Sequence, residues 1–562
     1  MKTIGKYGGD IIMLLPATIF IIAPVWNTVL EKDDILFPYV YGIAALFTVA
    51  HGIFYHRSTL QITRTDILLG IWLLYTLLQT DRENLPINTM AYCFAAYLWG
   101  RQLTPHLLCR ILVYAGYIQV LLTLLQLCGV LPSHHAYFPA TGIFHNPGPL
   151  GGFLAISLMA AITSFHSIPH WKWGISVAIL SVGLLLSDSR AAWVGALAGI
   201  GYYATSRFYI RPLWRITCIT AGCIAFTLLA AFCYKPDSAQ GRIVIWKVCI
   251  EMVKEHPLLG QGLNSFPQNY MLQQTHYMEE QATKTEMRLM DNNQYAFNEF
   301  LRITCEQGIT GLLFVLIILV TLWQTSPPLL SAKTCLLAYA TFACFSYPLH
   351  VFFLQIVLFM LCGYLTNQGT IIYHCSTIKT KALVTLLFLP ISGYFMLYGW
   401  YISRAQQAIH CFLHHDDMQS LSYLKTHLYT FVHEETLVDV YALALCLKEE
   451  HERSIPILLQ SIARFPSTEK YVKLGNSYHS LAQYTQAEAA YMKASRMLPN
   501  RLYPHYCLFM LYKETDQKEK AYDQATQIQQ LSPKKDNEYA RELKSFIHDY
   551  LQNKTHDSFD GK

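Results

Sequence analysis

Two kinds of hydrophobic pattern divide this chain near residue 402. Before it, apolar residues run almost unbroken between short polar loops; after it, they return every three or four positions with charged residues between them. A run of about 20 apolar residues matches the hydrocarbon thickness of a bilayer, and a helix apolar all round has no face to give to water. Such runs lie near 11–30, 36–55, 66–80, 88–100, 107–130, 149–165, 173–187, 191–206, 214–233, 309–324, 333–347, 349–366 and 382–402. They predict an all-α fold, a polytopic transmembrane bundle of about 12–13 spans. The stretch 234–308 interrupts the series. Its apolar helical faces, among them one leading from Phe297 to Glu306 into the next span, are too structured for a linker, and long loops in compact proteins tend to be functional. The expected division is a membrane domain over 1–402 containing the 234–308 loop, a helical repeat domain over 403–553, and a flexible tail over 554–562.

The soluble region repeats with a period of about 34 residues. Its clearest unit, 468–501, carries Tyr471, Leu474, Gly475, Tyr478, Ala487, Tyr491, Ala494 and Pro499. These are tetratricopeptide positions: the small residues let two helices approach, the tyrosines fill between them, and the proline marks the end. A second unit follows with Leu508, Tyr512, Ala521 and Pro533, and a degenerate one precedes, ending at Phe465-Pro466. Such a stack offers a groove to a protein partner, or serves only as a cap. The tail is expected to be separable, so that removing 405–562 leaves the membrane domain inserted and donor binding intact, with acceptor choice the property open to change.

Composition sharpens the class. Of 562 residues 53% are hydrophobic and only 14% charged, against about 25% charged in soluble domains. The net charge of +5 averages two unlike regions, and no basic stripe interleaved with aromatics is present, so nucleic acid is not an expected partner. The fifteen cysteines fall mostly inside apolar runs without CxxC or zinc spacing, which argues for packing rather than a disulfide framework. With the N-terminus inside, Lys2, Lys6, Arg57, Arg64, Arg101 and Lys172, among others, fall on the cytoplasmic side, and only Lys32, Arg82 and Arg190 in short loops opposite. The positive-inside rule then places the 234–308 loop outside and, with thirteen spans, the repeat domain as well.

Three polar constellations sit on that outer side. The first is Thr141-Gly-Ile-Phe-His145-Asn146-Pro147-Gly148-Pro149, a tight turn into a helix. The second is Ser187-Asp188-Ser189-Arg190, where Asp188 or Ser189 caps the next helix and Arg190 adds its charge to the helix N-terminus, an arrangement suited to phosphate. The third is the loop, with Gly241-Arg242-Ile-Val-Ile-Trp246, His256-Pro-Leu-Leu-Gly-Gln-Gly262 and Phe297-Asn298-Glu299-Phe-Leu301. A polar cap and a snorkelling arginine are the plain alternatives for the first two.

Together with Gly308-Ile-Thr-Gly311, these segments resemble, in order and spacing, the O-antigen ligase / O-antigen polymerase superfamily, in its variant with C-terminal tetratricopeptide repeats. The resemblance covers about 140–370 and the type of tail. It implies an enzyme of the bacterial inner membrane, working on the periplasmic face. There it moves a glycan from undecaprenyl diphosphate to a hydroxyl on lipid A core, a growing polysaccharide or a protein, with no metal and no cofactor. It also implies that Arg190 and Arg242 hold the donor diphosphate, which suits a permanently charged, bidentate guanidinium. Where many members carry a histidine before the Asn-Glu pair, this chain has Phe297, which cannot accept a proton. Glu299 is then the first candidate for general base, with Asn298 beside it; His145 and His276 follow, and Glu299 can equally be a structural partner of Arg190 or Arg242.

Glycan ligase is the expected function, ahead of polysaccharide polymerase and protein O-oligosaccharyltransferase, which share its chemistry. A polysaccharide or lipid transporter would call for charges within spans and repeated halves; neither stands out. A membrane scaffold that merely presents the repeats would leave Arg190, Arg242 and Glu299 without a task.

Overall fold

The computed structural model describes residues 60–559 except 81–85, 136, 165–168, 208–211, 234–235, 326–328, 376, 416–417, 432–434 and 532–537. The expected spans 11–30 and 36–55, with Arg82, lie outside the described residues. Helices dominate, as the apolar runs imply. They are α1 Arg64–Gln79, α2 Ile87–Gly100, α3 Pro105–Leu127, α4 Pro147–Thr163, α5 His170–Leu186, α6 Arg190–Arg207 and α7 Pro212–Cys233. Three more follow in the interrupting loop: α8 Pro236–Glu255, α9 Phe266–Glu280 and α10 Lys284–Leu289. Then come α11 Glu299–Trp323, α12 Leu330–Ala343, α13 Phe352–Thr366 and the long α14 Thr377–His415. The remainder are α15 Met418–Phe431, α16 Glu435–Leu447, α17 His451–Arg464, α18 Thr468–Ser480, α19 Tyr484–Met497, α20 Leu502–Glu514, α21 Lys518–Gln530 and α22 Glu538–Phe559. Among the described residues the strands are one antiparallel pair, β1 Leu60–Thr63 with β2 Ile371–Cys375, in which Leu60 faces Cys375 and Ile62 faces Tyr373.

Among the described residues, two helices, Pro105–Leu127 and Glu299–Trp323, are long and apolar enough to cross a membrane; Pro147–Thr163, His170–Leu186 and Phe352–Thr366 are apolar but shorter. The chain is a membrane protein of mostly helical fold.

Compactness groups the described residues into two units that cut across the sequence order. One comprises residues up to Pro236, with Pro257–Leu263 and Ala296–Trp400; the other comprises Asp237–His256, Asn264–Tyr295 and residues from Tyr401 onward. The loop is therefore divided. Most of it, including α8, α9 and α10, folds with the C-terminal helices, and two short pieces, Pro257–Leu263 and the stretch from Ala296 on, fold with the apolar bundle.

In the first unit α4 is the hub, packed on α3, α5, α6 and α12. It is buried all round, from Leu150 through Ala161, which explains why its sequence shows no polar face. Helices in lipid gain little from apolar burial alone and associate by close packing of small residues. The α2–α13 crossing shows this: a Cβ on Gly100 would strike the Met360 carbonyl, and one on Gly363 the Tyr97 carbonyl.

The sharpest local feature is a break in α11 at Gly308 (φ 65°, ψ −172°). It frees backbone groups that need partners in a water-poor setting. The turn 257–263 supplies them. Gln261 and Gly262 amides donate to the Cys305 and Glu306 carbonyls at 3.1 and 2.7 Å, and the Ile309 amide donates to the Pro257 carbonyl at 2.9 Å. From α1, Tyr75 donates to the Gln307 carbonyl at 2.7 Å and Gln79 to the Glu306 carbonyl at 2.9 Å. A side chain at Gly308 would collide with the Leu258 carbonyl. Two of the segments that carried the family resemblance are thus each other's structural partners.

In the second unit, α16 to α21 form three antiparallel-type helix pairs, each touching the next, with α22 against α21. Gly475 lies so close to the Tyr491 ring that a Cβ would overlap it, and Ala487, Ala494, Leu498, Phe509 and Ala525 are fully buried. Helix α22 continues to Phe559, through most of the expected tail 554–562.

Candidate active site

Within the bundle unit, three helix N-termini gather. The first opens α4. Its approach is fixed by two glutamines of α3: Gln126 Oε1 accepts the Thr141 and Gly142 amides at 2.9 and 2.8 Å, and Gln119 Oε1 accepts the Ile143 amide at 3.2 Å. Gly142 takes φ 60° there, which a residue with a Cβ adopts poorly. Asn146 caps α4 by accepting the Gly148 amide at 2.9 Å, the role its residue type favours.

The second opens α6. Asp188 is in the left-handed region (φ 50°), and the Ser189 carbonyl accepts the Ala192 and Trp193 amides, each at 3.1 Å. Arg190 follows as the first residue of the helix, half-buried. The two helix starts touch: Ser189 Oγ lies 3.5 Å from the Gly148 carbonyl, and a Cβ on Gly151 would meet Ser187 and Ser189.

The third opens α11. Asn298 caps it, accepting the Leu301 amide at 3.1 Å, after Phe297 at φ 51°. Tyr347 connects this end to the first: its ring lies edge-on to Phe297 at 5.3 Å, and its hydroxyl is 3.4 Å from His145 Nε2. Burial lowers the His145 pKa from 6.5, helped by the nearby His135 and His134, which favours the neutral imidazole. A phenol and a neutral imidazole in contact can pass a proton; helix N-termini and a guanidinium can hold an anion.

Glu299 sits deeper, 3% exposed. One oxygen accepts Arg302 Nε at 2.7 Å and the other the Leu349 amide at 2.7 Å, with His350 Nδ1 at 3.8 Å. Arg302 also bonds Glu306 at 2.9 Å. Both oxygens are thus engaged by donors that favour the carboxylate form, and the arginine that Glu299 holds is Arg302. The Glu299–Arg302–Glu306 spacing of three and four residues could have disclosed this ladder in advance. Tyr347 and His350 gave no such signal, lying about fifty residues along the chain in an irregular segment.

Arg242 lies on α8, in the other compact unit from Arg190, His145, Asn298 and Glu299. It is half-buried, two residues before a run in which Val244, Ile245, Val248 and Cys249 are buried. His276 is exposed on α9, 3.3 Å from Glu280.

A family model described as O-Antigen ligase matches residues 175–316. The matched stretch holds Arg190, Arg242, Asn298 and Glu299; His145 precedes it. No curated protein matches the chain significantly.

Proposed function

The chain belongs, through residues 175–316, to the O-antigen ligase superfamily, and on that premise we propose that it transfers a glycan from undecaprenyl diphosphate to a hydroxyl of lipid A core. The supporting observation is the gathering of the α4, α6 and α11 N-termini around Arg190, His145 and Tyr347. Arg190 at the α6 start holds the donor diphosphate; Arg242 is the second donor residue that the family resemblance assigns. The acceptor oxygen attacks the anomeric carbon, the carbon–oxygen bond to the diphosphate breaks, and undecaprenyl diphosphate departs with the bonding electrons. Fixed positive charge at that point stabilises the leaving group. The acceptor proton passes to His145, with Tyr347 holding the imidazole; Glu299 keeps the α11 start in place through Arg302, and Asn298 caps it. This chemistry asks for no metal and no cofactor. The bundle takes about 12–13 spans through the bacterial inner membrane, with the site, the 234–308 loop and the tetratricopeptide repeats on the periplasmic side.

In proteoliposomes supplied with lipid-linked glycan and lipid A core, Arg190→Ala or Arg242→Ala should lower transfer by at least about 100-fold while the protein stays folded and inserted. Wild-type rates in either variant would remove the donor site proposed here. His145→Gln should lower kcat, and wild-type transfer should fall only at a pH lower than an ordinary imidazole would require, because burial holds the His145 pKa down. Loss of capsule or glycoprotein rather than lipopolysaccharide in a deletion strain would move the acceptor to a polymer or a protein.

A further inference from the structure

Helix α8 carries Arg242, and its ion pair to a neighbouring helix runs to the short helix α10 of the same unit. Lys247, five residues on, pairs with Glu286 of α10 at 2.7 Å, and Tyr277 of α9 reaches the same carboxylate at 3.4 Å. Glu286 also closes a capping box with Thr283. At six residues, α10 is too short to hold itself as a helix; its position must come from what it is fastened to.

The fastenings are at two loops of the helix-pair stack, one repeat apart. Between α19 and α20, Asn500 donates to the Met287 carbonyl at 3.1 Å and Arg501 pairs with Asp291. At the start of α18, Asn292 accepts from the Thr468 amide and hydroxyl at 3.2 and 3.3 Å and donates to Glu469. Gln274 of α9 donates to the Asp291 carbonyl at 3.2 Å, and α9 itself packs on α17 and α19. Two anchors a repeat apart fix a direction as well as a position.

We propose that the helix-pair stack is the mount that positions Arg242, with the segment 284–292 as the strut between them. The inference rests on Arg242 serving the lipid diphosphate, as proposed above. The C-terminal helices are then part of donor binding rather than a separable appendage, and whatever occupies or distorts the stack is felt at α8.

The test uses the full chain in nanodiscs and two readouts: hydrogen exchange over residues 238–252 and binding of undecaprenyl diphosphate without glycan. Asp291→Arg and Arg501→Asp should each speed exchange in α8 and weaken binding by about fivefold. The double swap should restore both; Asn292→Ala should act in the same direction without introducing a charge. Unchanged α8 exchange in the single variants and in Asn292→Ala overturns the mount, whatever binding does. Faster exchange with undiminished binding overturns its role in donor recognition. Arg242→Ala, run in parallel, separates the two ideas: if it binds like wild type, the donor reading fails while the exchange data still judge the strut.

Discussion

The two compact units of this protein are built inside out with respect to each other. In the bundle unit, large apolar side chains face outward: Leu78 is 80% exposed, Leu185 65% and Val320 54%. Its interior holds Glu299, Arg302 and Glu306 in one ladder, and Asp66 with Arg101 and Tyr97 in another. In the C-terminal helices the outward positions are mostly Lys, Glu and Gln, and the interior is Leu, Ala, Tyr and Phe. The difference is one of solvent. Water rewards burying apolar surface; lipid does not, so the bundle must find its cohesion in close packing and in polar groups paired away from hydrocarbon. Its buried ions are therefore part of its architecture before they are part of any chemistry.

That contrast can be broken at several points. The largest effect should come from Arg302→Ala, which strands two buried carboxylates at a cost of about 3–5 kcal/mol; a melting temperature near wild type in detergent would show that the ladder is dispensable. Next, Leu316→Lys on the outward face of α11 should cost about 3 kcal/mol in membrane insertion, measurable in an insertion assay. The corresponding change in the other unit, Gln527→Lys on an exposed face of α21, should stay within about 0.5 kcal/mol in denaturation of the purified protein. Equal sensitivity at both positions would refute the difference in solvent. The smallest effect is pH-dependent. Lys247, and then the Thr283 amide, hold the Glu286 carboxyl at about 2 rather than 4.5. The Lys247–Glu286 contact therefore contributes fully above 4.5 and is lost as pH falls towards 2. Exchange in α10 should rise over that window, and Lys247→Ala should flatten the rise.

Much of the bundle was legible because a lipid-facing helix writes itself as an unbroken apolar run: α2, α4, α5 and α13 lie within a few residues of runs visible in the sequence. The motifs were legible as segments but not as partners. That His256-Pro-Leu-Leu-Gly-Gln-Gly262 exists to complete a break at Gly308 follows only from which carbonyls the break leaves bare. Glu299 looked like a base because an outward carboxylate beside a helix start is a reasonable one; its neighbours Arg302 and the Leu349 amide had claimed both oxygens. Tyr347, which joins His145 to Phe297, offered no pattern at all.

By itself the sequence determined where helices run, which of them avoid water, and which polar residues cluster at their ends, since each of these is set by residues close together along the chain. Only the tertiary structure decided the loop's allegiance. Asp291 and Arg501 are 210 positions apart, and no periodicity can announce a bond of that span. It placed α8 and Arg242 with the C-terminal helices because that is where the polar groups of 284–292 find their partners.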